Sequence, residues 1–149
     1  MNSRYYEDYQ QGEIIRAAGI TVSEADIIEF AFKYDPQPFH IDKVAAEKSI
    51  YGGLIASGWQ VMAVCFRMLV QAGLVGEGSM GSPGVDELRW HLPTRPGDTL
   101  YAEAEVLDMR PSSSKPDRGI VTIGYRFKNQ KGELVMSLKS TQLVKKRPA

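Results

Sequence analysis

One apolar segment, residues 54–74, most strongly limits the folds open to this chain. Between positions 59 and 72 only Gln60, Arg67 and Gln71 interrupt a run of apolar side chains, so a helix here has almost no polar face. A helix that is apolar nearly all round is expected to be buried nearly all round. The apolar run from 59 to 72 is also too short for a membrane-spanning helix, which needs about 20 mostly apolar residues. Another part of the chain must therefore enclose it.

The second half of the chain contains four stretches in which apolar and polar side chains alternate, as in strands with one buried face. The apolar positions are Leu88, Trp90 and Leu92; Leu100, Ala102, Ala104 and Val106; Val121, Ile123, Tyr125 and Phe127; and Leu134, Met136 and Leu138. Turn residues separate these stretches, and consecutive strands with short connections form antiparallel sheets. We therefore predict an α+β fold in which an antiparallel sheet wraps around a long buried central helix.

The first half predicts shorter elements. Residues 13–22 suggest a strand, after which Thr21 or Ser23 can cap a helix that must end near Tyr34, where prolines follow. Asp42 can cap a second, short helix over residues 44–47. A chain of 149 residues predicts one domain, 1–149.

Composition excludes several classes of partner. Basic and acidic residues balance at 18 each, so no excess charge favours nucleic acid or an anionic membrane. The single cysteine, Cys65, lies in the apolar segment and predicts a small buried side chain in a reducing compartment. Residues 1–11 lack the apolar core of a signal peptide, so we expect a cytoplasmic protein. Because a single sheet leaves two open edges, we expect a homodimer or a higher homo-oligomer.

The run Asp-Pro-Gln-Pro-Phe-His at 35–40 places a carboxyl and an imidazole five residues apart. Each proline biases the residue before it toward an extended conformation, so we predict a stiff loop rather than a helix. Such a loop can hold an acid–base pair, Asp35 and His40, in place. The alternative is a proline-rich turn in which Asp35 caps a neighbour and His40 is solvated.

The start of the apolar helix is a second candidate. Ser57 is a good N-cap, so Gly58 becomes the first helical residue, with a free amide at the positive end of the helix dipole. This amide could stabilise a developing negative charge. The alternative is that the two residues merely begin a helix.

Three features of the chain point to one family: the motif at 35–40, the sequence Gly-Gly-Leu-Ile-Ala-Ser-Gly-Trp at 52–59 and the order of elements. In all three the chain resembles the MaoC-like dehydratases. These are hot dog-fold proteins that include the (R)-specific enoyl-CoA hydratases. The resemblance implies reversible hydration of 2-enoyl-CoA, or dehydration of 3-hydroxyacyl-CoA, with Asp35 and His40 as the acid–base pair and Gly58 as the oxyanion donor. It implies no cofactor, since coenzyme A or an acyl carrier is part of the substrate.

Further residues are expected at the substrate. The resemblance implies that Ser57, Phe39, Trp59 and Arg89 bind it, and guanidinium groups at Arg89 and Arg95 would suit the phosphates of coenzyme A. The chain departs from the family where Gln37 replaces an asparagine and Phe39 an aliphatic residue. A third departure is Phe66, which stands where some hydratases carry a serine and could narrow the acyl pocket.

Other chemistries find less support. Two histidines and one cysteine form no recognised metal-binding pattern, and there is no glycine-rich phosphate loop for a nucleotide cofactor. His91 falls on the polar face of its predicted strand, where a partly exposed histidine or a groove residue is expected. Two alternative functions remain, an acyl-CoA thioesterase and a non-catalytic acyl-thioester-binding subunit, because the hot dog fold hosts more than one activity.

Overall fold

The computed structural model describes residues 2–149, so Met1 of the predicted domain lies outside the described residues. The strands are β1 (Ile14–Arg16), β2 (Ile20–Thr21), β3 (Val85–Trp90), β4 (Thr99–Pro111), β5 (Arg118–Lys128) and β6 (Leu134–Lys145). The helices are α1 (Glu24–Tyr34), α2 (Pro38–Ile41), α3 (Lys43–Glu47) and α4 (Gly58–Gln71), and a 3₁₀ turn at Tyr6–Asp8 precedes them. No helix within residues 2–149 is long and apolar enough to cross a membrane.

The strands form one antiparallel sheet in the order β1-β4-β5-β6-β3, and β2 also pairs with β4. The prediction of a single strand at 13–22 is wrong in detail, because the chain leaves the sheet between Arg16 and Ile20. At this break Gly19 passes so close to the ring of Tyr101 that an added Cβ would lie 2.7 Å from it. The close passage separates two short strands that both pair with β4.

Helix α4 packs across the sheet and forms the centre of the core. Cys65 and Leu69 on its inner face are fully buried in one cluster with Ala104, Val121 and Ile123 of the sheet. This arrangement confirms the predicted α+β hot dog fold with a central helix.

The outer face of α4 differs from the prediction. The prediction that the helix is buried nearly all round is wrong for one subunit, since the side chains of Trp59 and Phe66 are 57% and 41% exposed. The sheet covers only one side of the helix, which leaves an apolar stripe facing outward.

Strand β3 also departs from its predicted pattern. Trp90 and Leu92, expected on a buried face, are 44% and 38% exposed. The strand forms one edge of the sheet, and the register with β6 shifts between Asp86 and Arg89 where Glu87 adopts a left-handed φ of 53°. Such a bulge changes the faces that later side chains occupy. The alternation predicted for β4 and β5 is confirmed, with the named apolar side chains buried.

The capping residues of α1, α3 and α4 are among those that the sequence predicts. The hydroxyl of Ser23 accepts a hydrogen bond from Asp26 N at 3.0 Å, and the carboxyl of Asp42 accepts one from Ala45 N at 3.0 Å. The hydroxyl of Ser57 accepts a hydrogen bond from the Trp59 amide at 3.3 Å and caps α4. Each cap satisfies an amide that the helix itself leaves without a partner.

The prediction of a loop at 35–40 is wrong in part, because residues 38–41 form a turn of α-helix. Pro38 occupies the first position of α2, where its missing N–H is not needed. Asp35 ends α1 as its C-cap with φ −154° and ψ 69°, and Gln37 is extended with φ −75° and ψ 143°. The prolines therefore separate two helices rather than excluding helix altogether.

Candidate active site

Asp35 and His40 face each other across the turn between α1 and α2. Oδ2 of Asp35 lies 3.2 Å from Nε2 of His40, and the two side chains are only 15% and 5% exposed. The spacing follows from the local fold, since one residue ends α1 and the other lies within α2. The structure therefore brings together the two groups that the motif predicts.

The other ring nitrogen of His40 is held by the chain that leads into α4. Nδ1 lies 2.7 Å from the carbonyl oxygen of Ile55, and Ile55 N donates in turn to the Phe39 carbonyl at 3.1 Å. A carbonyl oxygen can only accept a hydrogen bond, so Nδ1 carries a proton. This contact orients the ring and turns Nε2 toward Asp35.

Both oxygens of Asp35 accept hydrogen bonds from neighbouring side chains. Gln37 Nε2 donates to Oδ1 at 2.7 Å, and Ser57 Oγ donates to Oδ2 at 2.7 Å. Burial raises the pKa of Asp35, but the hydrogen bonds from Ser57 and Gln37, together with the nearby His40, lower it by more. The net pKa lies below the ordinary carboxyl value, which favours a carboxylate at neutral pH.

Gly58 begins α4 beside this pair. Within residues 2–149 its amide has no hydrogen-bond acceptor, as expected for the first residue of a helix. Its carbonyl accepts a hydrogen bond from the indole of Trp90 at 3.0 Å, and the same indole packs onto the Gly58 backbone. A free donor at the positive end of a helix suits a developing oxyanion.

A cavity of about 460 Å³ opens in front of these groups. Its wall includes Asp35, Gln37, Phe39, His40, Tyr51, Ile55, Ala56, Gly58, Trp59, Val61, Trp90, His91, Leu92, Pro93 and Thr94. The carboxyl, the imidazole and the glycine therefore share one space with apolar walls. A small cavity that combines apolar walls with a few polar groups is typical of a ligand site.

The candidate substrate-binding residues divide into two groups. Phe39 and Trp59 line the cavity, whereas Ser57 is fully buried behind it and contacts Asp35. Arg89 lies outside the lining, exposed on β3, where its guanidinium donates to the Leu88 carbonyl at 2.8 Å. Arg95 is half-buried and donates to the Tyr51 carbonyl at 2.5 Å.

The contacts of three residues at the site could not be predicted from the motif. Gln37 is part of the motif, yet nothing in the sequence shows that its amide would reach Asp35. Trp90 packs on Gly58 from 32 residues away, and it meets the ring of Trp59 edge-on with 5.2 Å between centroids. His91 lines the cavity, and its Nε2 lies 2.7 Å from Ser137 Oγ. Its position on the polar face of the predicted strand was compatible with a groove residue but did not single it out.

The structure also bears on two other chemistries, a cysteine nucleophile and a metal centre. Cys65 is fully buried, and burial raises the pKa of its thiol to about 12, so it is a poor nucleophile. Residues 2–149 contain no group of three or more His, Cys, Asp or Glu side chains placed to hold a metal ion.

Comparison with known proteins places this geometry in context. The family described as MaoC like domain matches residues 8–125. A MaoC-like dehydratase from Rhodospirillum rubrum is 43% identical, with a TM-score of 0.92 over 99% of this chain and 100% of that one. The (R)-hydratase from A. caviae is 28% identical, with a TM-score of 0.74 over 91% of this chain and 97% of that one.

A curated relative of known activity is longer than this chain. The mesaconyl-CoA hydratase of Cereibacter sphaeroides is 30% identical over 147 residues, which make up 97% of this chain and 42% of that protein. The chain therefore spans less than half of that enzyme.

Proposed function

The chain belongs to the MaoC-like domain family, and from this we propose that it is a hydro-lyase acting on acyl thioesters. It would add water reversibly to a 2-enoyl-CoA, or remove water from a 3-hydroxyacyl-CoA. The names of its relatives, a dehydratase and two hydratases, support the reaction class. No cofactor is needed, because coenzyme A or an acyl carrier is itself part of the substrate.

One observation carries the proposal. A carboxyl and an imidazole 3.2 Å apart border the same cavity as the Gly58 amide, which has no acceptor within residues 2–149 and begins a helix. Hydration needs a base for the water, an acid for the α-carbon and a donor for the thioester oxygen. Asp35 and His40 supply the first two roles, and the Gly58 amide supplies the third.

The oxyanion role follows from where charge develops. Attack of water on the β-carbon moves electrons toward the thioester carbonyl, whose oxygen becomes an enolate oxygen. A preorganised amide stabilises that charge more in the transition state than in the substrate, which accelerates the reaction. Loss of such a donor typically lowers turnover by about 10²–10³-fold.

The remaining residues suit the two ends of the substrate. Phe39 and Trp59 are placed to contact the acyl group, since both line the cavity. A separate apolar cavity of about 170 Å³ borders Met62, Phe66 and Val85 and shares no lining residue with it. Arg89, exposed on β3, suits a phosphate of coenzyme A or of a carrier.

We also propose that the working form is a homodimer in the cytoplasm. β3 leaves one edge of the sheet unpaired within residues 2–149, and the apolar side chains of Trp59, Phe66 and Val85 are exposed nearby. An open strand edge beside exposed apolar groups is a typical site of self-association.

The direct test is a spectrophotometric assay of the purified protein on crotonyl-, medium-chain and branched enoyl-CoA, with thiol release followed in parallel. We expect loss of the conjugated enoyl absorbance without release of thiol. Asp35→Asn should abolish this turnover, because an amide is a far weaker base than a carboxylate. Asp42→Asn is the matched control, since Asp42 caps α3 outside the cavity lining and should retain turnover.

Other outcomes would replace the proposal. Thiol release that depends on Asp35 would indicate a thioesterase. Stabilisation by acyl-CoA without turnover of either kind would indicate a binding subunit. Near-native activity of both Asp35→Asn and His40→Ala would show that the reaction takes place elsewhere.

A further inference from the structure

One buried hydroxyl of the described chain, that of Thr94, has no hydrogen-bond partner. Thr94 is only 1% exposed, and its Oγ1 neither donates nor accepts a hydrogen bond within residues 2–149. An unpaired buried hydroxyl costs free energy, which a valine of nearly the same shape would avoid. Arg4 Nε and Gln60 Oε1 are also unpaired, but other atoms of those side chains do form hydrogen bonds. Thr94 has no second polar atom in its side chain, so its hydroxyl is the one that a ligand would have to satisfy.

Thr94 belongs to the buried end of the cavity that contains the candidate acid–base pair. Beside it in the lining are Ile55, Ala56 and Val61, which are buried and apolar, and His40. The other end of the cavity is formed by side chains that are much more exposed, namely those of Trp59, Trp90 and Leu92. A ligand that fills the cavity therefore meets the Thr94 hydroxyl with the part that lies deepest.

The segment Ile55–Ala56 separates Thr94 from His40. Ile55 bonds to α2, through its amide to the Phe39 carbonyl at 3.1 Å and through its carbonyl to His40 Nδ1 at 2.7 Å. The next residue, Ala56, donates instead to the Thr94 carbonyl at 2.8 Å. Consecutive residues of an extended segment direct their backbone groups to opposite sides. Thr94 and His40 therefore flank the segment, and the Thr94 hydroxyl is placed for a part of the ligand other than its reacting atoms.

The charges around the cavity decide what kind of group Thr94 can receive. Among the described residues that line the cavity there is no lysine or arginine. Arg95 follows Thr94 in the chain, but its guanidinium donates to the Tyr51 carbonyl. A second carboxylate would be buried beside that of Asp35 without a cation to neutralise it, which is costly. A neutral oxygen needs only the hydrogen bond that Thr94 offers.

We propose that Thr94 is a specificity-determining residue, whose hydroxyl donates a hydrogen bond to a neutral oxygen carried by the acyl group of the substrate. The inference rests on the proposed function and deepens it. Coenzyme A is too large for the buried end, so the acyl group occupies it. The preferred substrate is then an enoyl thioester with a hydroxyl or carbonyl oxygen beyond the double bond. A hydrocarbon chain leaves the Thr94 hydroxyl unpaired.

The test uses pairs of substrates in which a hydroxyl replaces the terminal methyl. The pairs are hex-2-enoyl-CoA with 5-hydroxypent-2-enoyl-CoA, and hept-2-enoyl-CoA with 6-hydroxyhex-2-enoyl-CoA. We expect the native protein to prefer the hydroxylated member of at least one pair, by kcat/KM. In Thr94→Val this preference should fall about tenfold, the scale of one hydrogen bond, whereas Thr94→Ser should keep it. No preference in the native protein, or an equal loss on both members of a pair, would refute the proposal.

A charged substrate tests the neutral character of the oxygen. 5-Carboxypent-2-enoyl-CoA should be a poorer substrate than the hydroxylated compounds. A preference for this carboxylate that depends on Thr94 would overturn the assignment of a neutral group.

The stability of the free protein gives a measurement that needs no substrate. Thr94→Val should raise the midpoint of urea denaturation, because it removes a buried hydroxyl that has no partner. Thr99→Val is the matched control, since the Thr99 hydroxyl lies 2.8 Å from that of Thr21 and outside the cavity lining. The control should not raise the midpoint and should leave the substrate preference intact. A lower midpoint for Thr94→Val would show that the hydroxyl is paired inside the protein and would refute the proposal.

Saturated analogues separate this inference from the proposed function. Hexanoyl-CoA and 5-hydroxypentanoyl-CoA cannot be hydrated, and their binding is measured by the rise in Tm that each produces. A larger rise with the hydroxylated analogue, lost in Thr94→Val, in a protein without hydratase activity would support the role of Thr94 and refute the proposed function. Hydratase activity that is equal on both members of each pair would support the proposed function and refute the role of Thr94.

Discussion

At the scale of single residues, Gly58 has no room for a side chain. An added Cβ would lie 2.4 Å from Cε2 of Trp90, whose indole also donates to the Gly58 carbonyl. Glycine is therefore needed here for packing, in addition to any approach of a ligand to the backbone. The same contact ties the end of β3 to the first turn of α4, on the wall of the cavity.

Gly58→Ala should consequently destabilise the protein as well as impair the site. We expect a loss of about 1–3 kcal/mol in the free energy of unfolding, the usual cost of overpacking, measured by urea denaturation. In a double-mutant cycle, Trp90→Ala should relieve part of this loss by removing the ring that the new methyl meets. A Gly58→Ala protein as stable as the native one would contradict the packing argument.

At the scale of elements, α1 sets the position of the Asp35 carboxyl. The helix begins at the Ser23 cap and ends at Tyr34, so its last turn sets the position of Asp35. Asp26 completes a capping box, in which its carboxyl accepts from Ser23 N at 3.1 Å. Hydrogen bonds from the side chain and the backbone of Ser23 lower the pKa of Asp26 below its ordinary value.

Ser23→Ala should therefore destabilise the protein by about 1 kcal/mol at neutral pH, as is typical for a lost serine cap. Because the pKa of Asp26 is lower in the folded state, its contribution is present above the unfolded value near ~4 and is lost as pH falls through the folded value. The difference between variant and native protein should narrow in acid without vanishing, since the bond from Asp26 N to Ser23 persists. Denaturant titrations at several pH values measure it, and a difference that grows in acid would contradict the assignment.

At the scale of the whole molecule, one face of the subunit is apolar and open. Phe66 on α4 and Val85 on β3 are 41% and 43% exposed, and both border the 170 Å³ cavity beside the unpaired strand edge. A second copy placed over this face would cover the stripe of α4 that the sheet leaves open. The proposed dimer would then enclose the central helix on both sides.

The Phe66→Lys/Val85→Lys protein should accordingly be monomeric and folded, because the added charges face an interface instead of the core. We expect the native protein to sediment as a dimer. Phe32→Lys is the matched control, since Phe32 is 67% exposed on α1 and its replacement should leave the dimer intact. A native protein that sediments as a monomer at micromolar concentration would contradict the dimer.

Much of the architecture could be predicted because it depends on local patterns. Period-two alternation located β4 and β5, and the capping serines at 23 and 57 located the starts of α1 and α4. The close approach of Asp35 to His40 was also predictable, because both residues lie within one motif of six residues. The helical turn at Pro38 was not, since the proline rule that excludes helix interiors does not exclude the first position of a helix.

By itself, then, the sequence determined the order of the elements, the central helix and the proximity of Asp35 and His40, because each depends on residues close together in the chain. Only the tertiary structure decided how those side chains are held, since Ser57 reaches Asp35 from 22 residues away and the Ile55 carbonyl reaches His40 from 15. It alone decided that Trp90 covers Gly58 and that one face of α4 stays open, because both depend on where β3 lies at the edge of the sheet. Contacts of this kind come from packing between elements, which no local pattern encodes.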